Sequence, residues 1–140
     1  MISSQLYGAC SLPRHLFSLK KLTDKMPIIR ELTLSSTESL SNSLPHIREH
    51  LHQCGINLVT FINDPALQSK GYIKKNTDRT LLLCIKERHD DPQIQHYELF
   101  HLLGHIINGD LDRTNLLIDL DRIKDAADRK AEQFAAHQLF

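Results

Sequence analysis

Residues 96–110 read HYELFHLLGHIINGD, and this histidine-rich, apolar stretch sets the expectations for the rest of the chain. Asp91 and Pro92 suit a helix N-cap followed by a proline in the first turn, and Gly109 suits a helix end. We therefore predict a helix over about residues 93–108. At about 100° per residue, four of its large apolar side chains share one face. They are Leu99, Leu103, Ile106 and Ile107.

A separate stripe of the same helix carries polar side chains. Glu98, His101 and His105 lie on it, and the two histidines are four residues apart. Two imidazoles at this spacing can bind one metal ion, as in the His-Glu-x-x-His helix of zinc peptidases, where the glutamate is the general base. Leu102 occupies the position of that glutamate. Taken alone, these residues are explained more simply by a core helix whose histidines are hydrogen-bonded.

A second helix is predicted over about residues 122–139, with small alanines that permit close approach to the first helix. Asp128 follows His105 by 23 residues and is a candidate third metal ligand. Glu132 lies one turn later, and a solvated helix face explains both carboxylates equally well. His89 and His96 are expected at the surface.

The composition is that of one globular domain. The chain has 140 residues, of which 41% are apolar and 24% are charged. No apolar run approaches the ~18 residues that a membrane span requires, so no membrane association is expected. Cys10, Cys54 and Cys84 are isolated, which favours reduced thiols in a cytoplasmic protein over disulfides or a cysteine-ligated zinc site. The oligomeric state cannot be inferred from these properties.

The first part of the chain has a different character. Residues 1–30 contain five basic residues and one acidic residue, and residues 35–43 are rich in serine. We interpret residues 1–43 as a basic leader and linker, solvated or poorly ordered, which precedes a domain at residues 44–140. The basic charge is weak evidence for nucleic-acid binding, so direct contact with nucleic acid is not expected.

The domain begins with local signals for one helix and three strands. Pro45 opens a helical pattern that Gly55 ends. Strand-like runs follow at residues 55–63, 72–75 and 80–86, the last two joined by a turn at 76–78. Together with the later helices, these elements predict an α+β domain in which a small antiparallel sheet packs against two helices.

Two blocks of this sequence resemble the ImmA/IrrE family of zinc metallopeptidase-like domains. The first block is LFHLLGHIINGD and the second is DRKAEQFAAHQLF. The matching positions are Tyr97, Leu99, His101, Leu103, Gly104 and His105 in the first block, and Ala131, Phe134, Ala135 and Ala136 in the second. Residues 44–59 also resemble the preceding helix and strand of such domains. The resemblance implies a zincin-like fold over residues 44–140, with zinc held by His101, His105 and Asp128.

The chain departs from the family pattern at three positions. Leu102 replaces the catalytic glutamate, Lys130 replaces a second glutamate, and Asp128 is one carbon shorter than the residue it matches. General-base catalysis contributes ~10²- to 10⁴-fold, and leucine cannot accept a proton. Glu98 is a candidate substitute base or ligand. Tyr97 and Glu132 are expected beside the ligands.

The resemblance implies a cytoplasmic regulatory protein associated with mobile elements that cleaves or binds a protein partner, such as a repressor or a component of a toxin–antitoxin pair. Hydrolysis is expected to be impaired, and whether the chain is an enzyme stays open. One alternative is a non-catalytic protein-binding or antitoxin-like module. Another is a truncated remnant of such a peptidase.

Overall fold

A computed structural model of the chain describes residues 6–8, 15–35, 43–61, 69–87, 92–113, 116–120 and 126–139. Within these ranges the fold is α+β, with four helices and five strands. The helices are α1 (Leu19–Leu34), α2 (Leu44–Gln53), α3 (Pro92–Ile107) and α4 (Ala126–Leu139). The strands are β1 (Leu6–Gly8), β2 (Ile56–Phe61), β3 (Ser69–Lys75), β4 (Leu81–Lys86) and β5 (Leu116–Leu120).

The strands form one mixed sheet in the order β1-β2-β4-β3-β5. The pairing of β2 with β4 is parallel, and the other three pairings are antiparallel. The predicted antiparallel sheet is therefore corrected to a mixed one. The reason is that the β3–β4 hairpin places β4, and not β3, beside β2. The prediction also missed β1 and β5.

The turn between β3 and β4 lies where the sequence predicts it. The Asn76 amide donates to the Thr80 carbonyl over 2.9 Å, and Arg79 adopts a positive φ of 68°. The Asp78 carboxylate accepts hydrogen bonds from both the amide and the hydroxyl of Thr80. These local bonds close the hairpin and fix the register of the two strands.

Helix α1 lies within the segment that we interpreted as a poorly ordered leader. Leu22, Met26 and Ile29 are spaced along one face of it, and all three are buried in the main hydrophobic core. Ser18 caps the helix by accepting a hydrogen bond from the Lys21 amide. The leader interpretation is therefore wrong for residues 19–34, because their apolar spacing buries one face. The serine-rich residues 36–42 lie outside the described part.

The main core lies between one face of the sheet and the helices. Alternate residues of the strands, including Leu58, Ile73 and Leu83, point into it. Helix α3 adds its apolar side to the same core through Leu99, Phe100, Leu102, Leu103 and Ile106. The opposite sheet face carries a smaller buried cluster of Val59, Phe61, Tyr72 and Cys84. Because the apolar side of α3 packs into the core, its polar stripe faces α4.

Candidate metal centre

Helix α3 places the two predicted histidines in a buried position. His101 is 1% exposed and His105 is 4% exposed. Their rings stack with centroids 5.0 Å apart and planes inclined by 24°. This arrangement follows from the four-residue spacing, which places the two side chains one above the other on the helix. The predicted stripe is confirmed for these two histidines.

Helix α4 approaches this stripe closely because Gly104 has no side chain. A Cβ atom at Gly104 would lie 3.0 Å from Cδ1 of Phe134 and 3.2 Å from Cα of Ala131. A larger residue would push the two helices apart. The glycine and the alanine together allow the close approach that the alanine-rich pattern predicts, and this brings Asp128 to the histidines.

Asp128 is 7% exposed and faces both imidazoles from α4. Its Oδ1 atom is 2.8 Å from Nε2 of His101 and 3.4 Å from Nε2 of His105. Among the described residues, these three form the group that could hold a metal ion, with one ligand atom from each and all three atoms within 4.8 Å of one another. The structure thus brings together the three residues that the sequence nominated.

The chemistry of the donors fits a divalent transition metal. Two imidazole nitrogens and one carboxylate oxygen make up a common zinc ligand set, which leaves a fourth tetrahedral position. Around a tetrahedral ion, ligand atoms at about 2.1 Å from the metal lie about 3.4 Å apart. The distance of 3.4 Å from Nε2 of His105 to Oδ1 of Asp128 matches that separation, whereas the 2.8 Å between Nε2 of His101 and the same oxygen is a hydrogen-bond distance. Imidazole also suits other transition metals, so the donors define a class of ion.

Leu102 is fully buried, with 0% exposure, and belongs to the main core. Its Cδ1 atom lies 2.8 Å from where a Cβ atom of Gly71 would be. Leu102 therefore packs against the backbone of β3 at a point where glycine makes room for it. The position at which the resemblance predicts a catalytic glutamate is thus occupied by hydrocarbon that contributes to core packing.

The other nominated residues have different surroundings. Glu98 is buried at 1% exposure but does not contribute an atom to the three-residue group. Tyr97 is partly buried, and its ring centroid is 6.1 Å from that of His101. Glu132 is partly buried on α4, and Lys130 is exposed. Tyr97 therefore lies beside a candidate ligand, as expected, while Glu98 is a buried carboxylate outside the group.

His96 is not at the surface as we predicted, because it is only 8% exposed. It lies on the apolar side of α3, three residues before Leu99 and seven before Leu103, so packing of that side buries it. Its Nε2 atom has no hydrogen-bond partner among the described residues, and burial lowers the pKa of its imidazole. His89 lies outside the part of the chain that the structure describes.

Asp110 is a site residue that the sequence interpretation missed. Its Oδ2 atom is 2.8 Å from Nδ1 of His105. Gly109, with a φ of +78°, ends the helix and turns the chain so that Asp110 returns toward the histidine. An acidic residue directly after a helix-ending glycine, five residues after a candidate ligand, was the available signal.

The two cysteines that the structure describes are poor candidates for metal ligands. Cys54 and Cys84 are free and buried, as their isolation in the sequence predicts. Burial raises the pKa of the Cys54 thiol, and it raises that of Cys84 to about 12. Both therefore stay protonated at neutral pH, which disfavours metal ligation. Cys10 lies outside the described residues.

A comparison with models of known protein families finds no match, and a comparison with curated proteins finds none either. Among the helices that the structure describes, none combines the length and apolar character required to cross a lipid bilayer.

Proposed function

We propose that this protein is a metallopeptidase-like regulator that binds one divalent metal ion through His101, His105 and Asp128 and has little or no peptidase activity. The observation that carries the proposal is the convergence of three buried donor atoms from α3 and α4. Burying polar groups is costly unless they are paired, and the hydrogen bond between His101 and Asp128 supplies part of this pairing in the metal-free protein. A metal ion satisfies all three donors at once.

Zinc is the ion that we propose, because it commonly takes two imidazoles and a carboxylate. In such sites a bound zinc ion supplies an activated water and polarises a carbonyl group. This chain holds the three donors but has Leu102 where a proton acceptor is needed. Since Leu102 is packed into the core, its side chain neither orients water nor accepts a proton.

The regulatory part of the proposal rests on the two sequence blocks that resemble ImmA/IrrE domains. By that resemblance the fold is zincin-like, the protein is cytoplasmic, and the partner is a protein such as a repressor or toxin. The burial of Leu102 favours a second candidate within this proposal, a non-catalytic module that binds its partner without cutting it. A remnant of a longer peptidase would share the metal site and lack such a partner.

Metal analysis of protein purified without a histidine tag tests the site. We expect about one zinc ion per chain in the wild type and none in the His101→Ala, His105→Ala double variant. His137→Ala is the matched control, because His137 is an exposed histidine of α4. Metal content that is unchanged in the double variant would show that the site assignment is wrong.

Two variants test hydrolysis, Leu102→Glu and Leu102→Gln. Glutamine has nearly the same shape as glutamate but cannot act as a base. We expect negligible cleavage of a denatured protein substrate by the wild type and by Leu102→Gln. Any gain should be confined to Leu102→Glu. Circular dichroism checks the fold of each variant, because both changes bury polar atoms. Robust cleavage by the wild type that persists in Glu98→Gln would contradict the proposed loss of hydrolysis.

A further inference from the structure

The carboxylate of Asp110 contacts the imidazole of His105 on the side away from Asp128. Nδ1 of His105 is 2.8 Å from Oδ2 of Asp110, while Nε2 of the same ring faces Oδ1 of Asp128. Asp110 is the first residue of a short 3₁₀ turn, Asp110–Arg113. Its side chain is 21% exposed and that of His105 is 5% exposed. The contact therefore joins a buried ring to a partly solvated carboxylate.

This contact selects one tautomer of His105. An ionised carboxylate can only accept a hydrogen bond, so the proton of a neutral imidazole must be on Nδ1 to form it. Nε2 is then left with a lone pair and no proton. That atom is the one that faces Oδ1 of Asp128.

The two histidines differ in a way that agrees with this assignment. Nε2 of His101 is at hydrogen-bond distance from Asp128, 2.8 Å, whereas Nε2 of His105 is 3.4 Å from the same oxygen. A nitrogen that carries no proton cannot donate to the carboxylate, so the longer distance is expected for His105. His101 contacts Asp128 as a donor would, and His105 does not.

We propose that Asp110 is a positioning residue, which holds His105 in the Nδ1–H tautomer and presents Nε2 as a preformed metal ligand. This inference rests on the proposed function, because it concerns the same metal site. Carboxylates that accept from the distal nitrogen of a ligating histidine fix its ring and increase its basicity, and their loss costs about 10- to 100-fold in metal affinity.

Zinc affinity, measured by competition with a chromogenic chelator, tests the inference. We expect Asp110→Ala to weaken zinc binding by about 10- to 100-fold. Asp110→Asn keeps an acceptor oxygen and should bind zinc more tightly than Asp110→Ala. Asp112→Asn is the matched control, because it removes an exposed acidic charge from the same turn, and it should change affinity by less than about threefold.

The tautomer can be measured directly in the metal-free wild type. Long-range ¹H–¹⁵N correlation spectra distinguish protonated from unprotonated ring nitrogens, and they should show the proton of His105 on Nδ1. This measurement requires no variant, so it stands even if Asp110→Ala fails to fold.

Four results would overturn the inference. They are a His105 proton on Nε2, an Asp110→Ala affinity within threefold of wild type, an Asp110→Asn affinity no better than that of Asp110→Ala, and an equal loss in Asp112→Asn. If the wild type binds no zinc, the proposed function falls and this inference falls with it. If the wild type binds zinc but one of the four results is found, only the role of Asp110 is lost.

Discussion

Helix α3 has two buried sides with different chemistry. The side toward the sheet, which we call the sheet side, is hydrocarbon and includes Leu102 against β3. The side toward α4, which we call the α4 side, carries His101 and His105 against Asp128. Burial of hydrocarbon stabilises the fold without any polar partner, whereas burial of imidazoles and a carboxylate is costly unless their polar atoms are paired. One helix thus combines a hydrocarbon contact with the sheet and a hydrogen-bonded polar contact with α4.

The largest expected effect is on the sheet side. Leu102→Ala should lower the free energy of unfolding by about 2–5 kcal/mol, because it removes a fully buried side chain and leaves a cavity. The loss should be the same with and without zinc. Ile94→Ala, which truncates an exposed apolar residue of α3, is the control and should cost much less. Denaturant unfolding measures the loss of stability in both variants. A loss in Leu102→Ala that depends on zinc would show that the sheet side and the α4 side do not contribute independently to stability.

The next effect is that of metal on the α4 side. Free zinc at 100 times its dissociation constant should raise the free energy of unfolding of the wild type by about 2.7 kcal/mol. The His101→Ala, His105→Ala double variant should show no rise, and His137→Ala should show the full one. Unfolding titrations at fixed free zinc give the comparison. An equal rise in the double variant would place the metal elsewhere.

The close approach of α3 and α4 should be sensitive to one methyl group. Gly104→Ala places a Cβ atom against Phe134 and Ala131, and this should cost about 1–3 kcal/mol of stability. It should also weaken zinc binding, because Asp128 moves with α4. Ala136→Leu enlarges an exposed residue of α4 and should stay within about 0.5 kcal/mol of wild type. Zinc affinity unchanged in Gly104→Ala would show that the site tolerates a wider helix spacing.

The smallest expected effect is the pH dependence of stability that arises from His96, which lies on the apolar side of α3. Burial lowers its pKa from the ordinary value of 6.5, so below that pH the unfolded chain binds more protons than the folded one. The free energy of unfolding should therefore fall as the pH falls through 6.5. His96→Leu should reduce this slope, because it removes the titrating imidazole. Metal-free unfolding curves at several pH values measure it, and equal slopes in wild type and His96→Leu would contradict the assignment.

Local periodicity predicted much of the site. The spacing of His101 and His105 and the position of Asp128 on the following helix nominated all three members of the buried group. The same method missed α1, although Leu22, Met26 and Ile29 have helical spacing, because the basic charge and the serine-rich residues after it suggested a leader. It also placed His96 at the surface by residue type alone, although its position on α3 is on the apolar side.

The sequence by itself determined the helices α2, α3 and α4, the β3–β4 turn and the residues that share each helix face, because all of these depend on neighbours a few residues apart. Only the tertiary structure decided the mixed strand order, the packing of Leu102 against Gly71 and the contact of Asp110 with His105. The first two depend on contacts between residues distant in the chain. The third depends on the direction in which the chain leaves α3 at Gly109. Spacing along one element carries no information about such directions. The three residues of the buried group were therefore visible in the sequence, whereas the contact of Asp110 with His105 was not.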